Sequence, residues 1–277
     1  MAERLTNFRL GERFGRLAYG SAVAAGFGFL LLPILLVLWL SFFSNEILSL
    51  PPEGYSLRWY TGLLAKRDFV DGFILSLEVA VLATALGLAV SLPASLVLVR
   101  SRFYGREALL NFLMAPLIVP AIVIGAALYI FFVQVEIATD VPLTGSAPGL
   151  VGAHVLLTIP WCIRLLTANL VGLDPAIEEA AASLGARSWV ILARVTLPMI
   201  WPGLVAAALF AFVVSFGNLE ISLFLVAPGE TTLPIAILQY LEWKLDPTIA
   251  AVSTLQVVLI GAGLFATDRV VGLARVV

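Results

Sequence analysis

Charge is scarce in this sequence: Asp, Glu, Lys and Arg make up 12% of its 277 residues, with 16 Lys+Arg against 18 Asp+Glu. A soluble domain carries about twice that share, so a soluble enzyme is excluded. The net charge of -2, with no basic patch, excludes a nucleic-acid binder. Cysteine is reduced to Cys162, which rules out a disulfide scaffold and leaves the redox compartment undetermined. Lysine occurs only as Lys66 and Lys244, and neither follows glycine or precedes Ser/Thr as a phosphate-binding loop requires. The chain is therefore not its own ATPase of that type. A lone histidine, His154, excludes a His-Glu-x-x-His zinc site.

What the sequence does have is apolar residue in long blocks. Hydrophobic residues are 61% of the chain, the mean hydropathy is +1.05, and blocks such as 18–43 and 72–99 are long enough to cross a bilayer. At ~20 residues per crossing, the pattern predicts an all-α, polytopic membrane protein with six spans, near 18–43, 72–99, 108–133, 148–171, 201–225 and 248–267. The first block is too long for a cleaved signal core and no small-residue cleavage site follows it, so it reads as a retained helix behind a cytoplasmic segment 1–17. Alternate loops differ in basic residues. Arg4, Arg9, Arg13, Arg16, Arg100, Arg102, Arg106, Arg187, Arg194, Arg269 and Arg275 fall on one side, against Arg58, Lys66, Arg67 and Lys244 on the other. That asymmetry predicts both termini in the cytoplasm.

On the outer side, 44–71 reads as a surface loop with the Trp59-Tyr60 pair at headgroup level, and Thr232-Leu233-Pro234 opens a short helix with Ile235, Leu238 and Leu241 on one face and Trp243 as interface anchor. Pro33, Pro93, Pro116, Pro120 and Pro160 fall inside the predicted spans, where each removes a backbone hydrogen bond and predicts a kink or local unwinding.

The loop between the fourth and fifth spans, 172–200, parses as helix, glycine, helix. Asp174 is a good N-cap, Pro175 suits the first helical position, and Glu178 and Glu179 lie near the positive end of the dipole. Gly185 permits a left-handed cap, Ser188 can cap a second helix, and Pro198 is expected to stop it after Leu197. The first helix presents Ala180, Ala181, Ala182 and Leu184, small apolar residues suited to a partner's groove. Packing against its own bundle is the alternative, and geometry leaves the two open.

The run Glu179-Ala180-Ala181, three residues, Gly185, nine residues, Val195, one residue, Leu197-Pro198 resembles the EAA-loop signature of permease subunits of binding-protein-dependent ABC importers. It departs only at Val195, where the signature has isoleucine. The resemblance runs from about 72 to 266. Ala115-Pro116-Leu117-Ile118-Val119-Pro120 with Gly125 is similar to the Pro-rich third helix of that family. Ser215-Phe216, Ser222-Leu223-Phe224, Pro228-Gly229, Thr231-Thr232-Leu233-Pro234 and Asp246-Pro247-Thr248-Ile249-Ala250-Ala251 resemble the second permease of the spermidine/putrescine subgroup. One departure is Gly217-Asn218, where relatives often carry an acidic residue; here the acid is Glu220.

The resemblance implies a type I ABC importer permease fold in a bacterial inner membrane, with the pathway shared with a second, non-identical permease. It also implies two cytosolic ATPase subunits that hold ATP and Mg, an extracytoplasmic solute-binding protein, and no cofactor on this chain. Glu178 to Gly185 would form the coupling helix in a cleft of the ATPase, with Glu179 paired to a basic residue there, and Leu197-Pro198 closing the motif. The candidate pathway residues are Glu78, Phe212, Phe216, Asn218 and Glu220, because charge inside a span is costly and aromatic side chains can gate. Arg164 is expected in a structural or gate ion pair, and His154 and Asn169 in interhelical hydrogen bonds. The solute implied is a polyamine or related amine-bearing compound, with ferric iron, a phosphonate or an amino-acid derivative open. A secondary transporter using Glu78 or Glu220, or a membrane-embedded enzyme, has no use for an ATPase-docking helix.

Overall fold

The structure, a computed structural model, describes the backbone of residues 2–47 and 49–271, and their side chains except at 2–14, 17, 18, 270 and 271. Arg4, Arg9, Arg13 and Arg275, which entered the orientation count, lie outside the described side chains. Among the described residues the chain is helical apart from short loops and one isolated bridge, Phe43 with Tyr55. Six stretches are long and apolar enough to cross a membrane: Tyr19–Leu40, Arg67–Arg100, Ala121–Thr139, Ala147–Gly172, Ser188–Phe216 and Pro247–Arg269.

By internal contacts the chain divides into two units. One holds the residues up to Leu63 with Lys244–Gln256, the other Leu64–Trp243 with the residues from Val257 on. In the first, α1 (Ala2–Leu40) is continuous through Pro33, and its apolar window contributes no buried residue. The segment after it folds back on its end. Trp59 Nε1 donates to the Phe43 carbonyl at 2.7 Å, Arg58 Nη2 donates to the Ser44 carbonyl at 2.6 Å, and the Ser41 and Tyr60 hydroxyls share a 2.5 Å bond. These bonds satisfy backbone groups beyond the helix end and set the short helix α2 (Arg58–Leu63).

The second unit is built on three long helices. After α3 (Arg67–Arg100) come α4 (Arg106–Met114), a 3₁₀ turn over Ala115–Leu117, α5 (Ala121–Thr139) and α6 (Ala147–Gly172). They are followed by α7 (Pro175–Ser183), α8 (Ser188–Ile191), a π-turn over Leu192–Thr196, α9 (Leu197–Phe216), α10 (Ser222–Leu225) and α11 (Leu233–Trp243). The final helix, α12 (Pro247–Val271), begins in the first unit and ends in the second.

Helix α6 is the most enclosed, with 61% of its apolar window buried against 28% or less in every other candidate span. Its neighbours α3 and α9 each turn a stripe of small residues inward. On α3 the stripe is Gly72, Ser76, Ala80, Ala83, Gly87, Ser91 and Ser95; on α9 it is Gly203, Ala207, Ala211 and Ser215, all buried. Their i, i+3/i+4 spacing puts each set on one helix face. In lipid, apolar surface gives no drive for helices to associate, so small faces that allow close van der Waals approach do that work. At Gly87 an added Cβ would meet the Thr158 side chain, and at Gly203 the Asn169 side chain, each inside contact distance. Thr158 Oγ1 reaches the Ala83 carbonyl at 3.3 Å and Ser91 Oγ the Ile159 carbonyl at 3.4 Å, stitching α3 to α6.

The predicted spans need three corrections. The third was expected at 108–133 as one helix; instead it is broken, and the crossing stretch is Ala121–Thr139. Pro116 lies in the first turn of the 3₁₀ segment and Pro120 is the N-cap of α5, with φ -55° and ψ 133°. Neither proline can donate a backbone hydrogen bond, and Pro120 also disfavours helical backbone at Val119, so the pair ends one helix and starts the next rather than kinking a single one. The fifth span was expected at 201–225 after a stop at Pro198; it runs from Ser188 to Phe216. Leu197 N–H donates to the Leu192 carbonyl, an i to i-5 bond. The extra residue of that π-turn lets the helix pass Pro198 unbroken. Ser188 is the first residue of α8, with Arg187 as N-cap and no side-chain cap bond.

The second span starts at Arg67, five residues before the expected 72. On α11 the buried face is Leu233, Ile235 and Ala236, while Leu241 and Trp243 are exposed. Leu233 N–H donates to Ser76 Oγ at 2.9 Å, and the Phe69 and Tyr240 rings lie 5.3 Å apart, which fixes that face against α3.

Filling the α6–α9 notch tests the small-residue account. Gly203→Leu is expected to cost about 1–3 kcal/mol, read as a lower melting temperature in detergent. Gly261→Ala, where an added Cβ meets nothing within 4 Å, should leave it unchanged or slightly higher. Equal melting of both variants would overturn the account.

Candidate functional site

Helix α7 forms where the sequence asks for it. Asp174 Oδ1 accepts from the Ala176 N–H at 2.9 Å, Pro175 occupies the first turn, and Glu178 sits in the positive end of the dipole. At the other end Gly185 has φ +88°, its N–H donates to the Ala182 carbonyl at 2.9 Å, and the Ala186 N–H donates to the Ala181 carbonyl at 3.2 Å. Those two bonds are a Schellman cap, which needs a left-handed residue at that point and so selects glycine. The result is a short helix with both ends closed.

Its faces differ. Glu179, Ala180, Gly185 and Leu184 are exposed, Leu184 at 91%, with Ile177 at 41% and Trp189 at 66% nearby in sequence. Ile177, Ala180/Ala181 and Leu184 have i, i+3/i+4, i+7 spacing, so they form one apolar ridge. Glu178 faces the other way. Its Oε2 lies 2.9 Å from Arg100 Nε, and its Oε1 accepts from the Thr196 hydroxyl at 2.6 Å. The Arg100 Nε–H is not aimed at that oxygen, so the first is a charge contact rather than a directed hydrogen bond. Arg100 Nη2 also donates to the Leu173 carbonyl at 3.3 Å. Leu197 and Pro198 continue the polypeptide from the π-turn into α9, with Leu197 packed on Leu170, Leu173 and Ile200.

The candidate pathway residues separate. Phe216 is buried, 1% exposed, stacked on Phe212 with centroids 5.5 Å apart and edge-on to Phe73 at 5.7 Å. Asn218 is buried in the turn after α9, where its Oδ1 accepts from the Ile221 N–H at 3.0 Å and its Nδ2 donates to Glu220 Oε2 at 3.3 Å. Glu220 is exposed in the same turn. That turn is held to α6 through His154, whose Nδ1 and Nε2 lie 2.8 Å from Ser215 Oγ and 3.1 Å from Ser222 Oγ. Ser222 donates to the Asn218 carbonyl at 2.9 Å, so it can only accept from the imidazole. Nε2 therefore carries the proton and Nδ1 accepts from Ser215. Asn169 instead bonds back to the Leu165 carbonyl of its own helix at 2.9 Å.

Glu78 lies elsewhere. Because α3 begins at Arg67, Glu78 is about three turns, ~16 Å, along it. Asp68, Asp71, Leu75 and Glu78 follow i, i+3, i+7, i+10 and form one stripe. With Glu230, Gly229 and Thr231 they line an open cavity of about 330 Å³, which holds four carboxylates and no cationic lining residue. Asp68, Asp71 and Glu230 were missed in the sequence, and the stripe emerges only once the helix start is placed correctly. Arg164 faces a second cavity of about 330 Å³ with Arg106, Thr167 and Leu110. Among the described residues it has no ion pair, which corrects the expectation of one; the carboxylate in this region, Glu178, is engaged by Arg100.

An all-α, polytopic chain of this topology, with a short capped helix between the spans that Gly172 ends and Ser188 begins, has the fold of a type I ABC importer permease. The fold matches a solved bacterial ABC transporter involved in the import of the acidic polysaccharide alginate, with a TM-score of 0.71 over 94% of this chain and 97% of that one at 14% identity. It also matches the MetNI methionine ABC transporter in an inward-facing conformation, with a TM-score of 0.61 over 75% of this chain and 96% of that one at 21% identity.

The chain belongs to the family described as the binding-protein-dependent transport system inner membrane component, whose model matches residues 83–273. Among its relatives, the putrescine transport system permease protein PotI of Escherichia coli is 33% identical over 231 residues, 83% of this chain and 82% of its own. The spermidine/putrescine transport system permease protein PotC of Escherichia coli is 26% identical over 263 residues, 93% of this chain and 97% of its own. This is a permease subunit of an ABC importer, a multi-pass inner-membrane protein that is not itself an enzyme. Such permeases work with a second permease, ATPases and a solute-binding protein; the alginate transporter has been solved with its ligand-bound periplasmic protein.

The capping geometry makes a local prediction. Asp174→Ala should remove about 0.5–2 kcal/mol from α7, seen as faster amide hydrogen exchange confined to 176–184, with α3, α6 and α9 unchanged. Protection equal to wild type would show that the cap bond does not hold the helix.

Proposed function

We propose that this permease carries a polyamine or a related amine-bearing solute, delivered by a solute-binding protein, through a pathway shared with a second, non-identical permease. The loop 172–200 lies on the cytosolic side and seats α7 in a cleft of an ATPase subunit. ATP and Mg belong to two such ATPase subunits and none to this chain. The N- and C-termini are cytoplasmic, as the Lys/Arg asymmetry requires.

The observation that carries the coupling role is the exposed apolar ridge of Ile177, Ala180 and Leu184 on a helix closed at both ends. A ridge of that kind on the water side of a membrane protein is stable when it fills a partner's groove. The solute class is supported by the putrescine and spermidine/putrescine systems of the relatives. The carboxylates of Asp68, Asp71, Glu78 and Glu230 add to it, because an acidic lining attracts a polycation and repels an anion. Phe212, Phe216, Asn218 and Glu220 stay assigned to the pathway end of α9.

Two measurements test this. The complex purified in mild detergent should carry ATPase activity and, in proteoliposomes, take up labelled putrescine or spermidine when ATP and loaded binding protein are supplied. Gly185→Val, which forces a β-branched residue into a left-handed position, and Leu184→Asp should both lose the ATPase while the permease still reaches the membrane. Retained ATPase and uptake would overturn the docking role. Glu78→Gln with Glu230→Gln should raise the half-saturating polyamine concentration about two- to five-fold. Unchanged kinetics would return that cavity to a solvated surface, and uptake of a phosphonate or ferric complex in place of polyamine would replace the solute class.

A further inference from the structure

Glu178 and Glu179 are adjacent in sequence and opposite in placement. Glu179 is exposed beside the ridge, whereas the Glu178 side chain is 18% exposed and turned inward. It meets Arg100, the last residue of the 34-residue helix α3, at 2.9 Å, and Thr196, the last residue of the π-turn that leads into α9, at 2.6 Å. Arg100 in turn reaches the carbonyl of Leu173, the C-cap of α6, at 3.3 Å. One carboxylate and one guanidinium thus tie α7 to the ends of all three central helices. Each charge also suits its helix end, the cation at the C-terminus of α3 and the anion at the N-terminus of α7.

An apolar cluster of Leu170, Leu173 and Ile200, with Leu92, Leu96, Val99 and Leu197, comes from the same ends of α3, α6 and α9. The three helices are packed tightly there, so a displacement of one is felt by the others. Thr196 itself is 2% exposed. A π-turn is a weakly hydrogen-bonded joint that recurs at functional positions, and here its terminal hydroxyl is bonded to the coupling helix.

We propose that Glu178 does not engage the ATPase. Together with Arg100 and Thr196 it is a positioning node that passes movement of α7 to α3 and to the π-turn of α9. This rests on the reading of α7 as the ATPase-docking helix. Docking belongs to the exposed ridge and transmission to the buried carboxylate, so the two roles separate by mutation.

The test uses the assembled transporter in proteoliposomes and reads solute taken up per ATP hydrolysed, with ATPase retention on the complex and melting temperature measured beside it. Arg100→Glu and Glu178→Arg should each keep the ATPase subunits bound while uptake per ATP falls about ten-fold, and the charge-reversed double variant R100E/E178R should recover part of it, since it restores the pair but not the Leu173 and Thr196 bonds. Thr196→Val should lower uptake per ATP with the ATPase still bound. Loss of the ATPase in Glu178→Arg without rescue by Arg100→Glu would place Glu178 at the docking face and overturn the node. A fall in melting temperature and uptake with uptake per ATP unchanged would make it a structural contact only, and would also overturn it. If Arg100→Glu does not fold, Glu178→Gln, which keeps the acceptor for Thr196 and removes the charge, decides the same question. Failure of the docking reading is seen separately, as ATPase retained by Leu184→Asp.

Discussion

Close approach of α6 to α3 and α9 is the constraint on which the second unit depends. In a membrane the hydrophobic effect does not distinguish a helix contact from a lipid contact, so association rests on van der Waals packing and a few polar bonds. The stripes of glycine, serine and alanine on α3 and α9 make that packing possible, and Thr158 and Asn169 of α6 fill the space over Gly87 and Gly203. A larger residue in either stripe would hold the helices apart and break the Thr158 and Ser91 bonds to the neighbouring backbone.

That packing explains why polar groups collect at the two ends of the unit. At one end His154 joins Ser215 and Ser222, holding the turn after α9 where Asn218 and Glu220 lie. At the other, Arg100, Glu178 and Thr196 meet beside the Leu170, Leu173 and Ile200 cluster. Between them the interior is lined mainly by apolar and small side chains, with Thr158 and Ser91 bonded to the neighbouring backbone. The second unit thus has a close-packed interior with a cluster of polar side chains at each end.

Much of this was legible in the residues. The number of spans, the helix-glycine-helix loop, the Asp174 cap and the left-handed Gly185 follow from rules that act over a few residues and are found as expected, while the bounds of three spans shift. The small-residue stripes were equally present in the sequence but are invisible to a search for apolar blocks, which counts glycine and serine as gaps. Prolines were an uneven guide. Pro116 and Pro120, where a kink or local unwinding was expected, divide the span outright, and Pro198 failed to stop a helix expected to end, because a π-turn five residues long absorbed the missing hydrogen bond.

By itself, then, the sequence determined that the chain crosses a membrane, how often, and which short loop forms a helix capped at both ends, since hydropathy, capping and glycine handedness are local properties. Only the tertiary structure decided that Glu178 turns inward while Glu179 stays outside, that Glu78 shares a cavity with Asp68, Asp71 and Glu230, and that Arg164 lies beside Arg106 rather than a carboxylate. Those outcomes depend on where helices begin and on which side chains from distant segments arrive at the same place. A one-residue step on a helix turns a side chain by about 100°, so neighbouring glutamates of identical chemistry meet different surroundings.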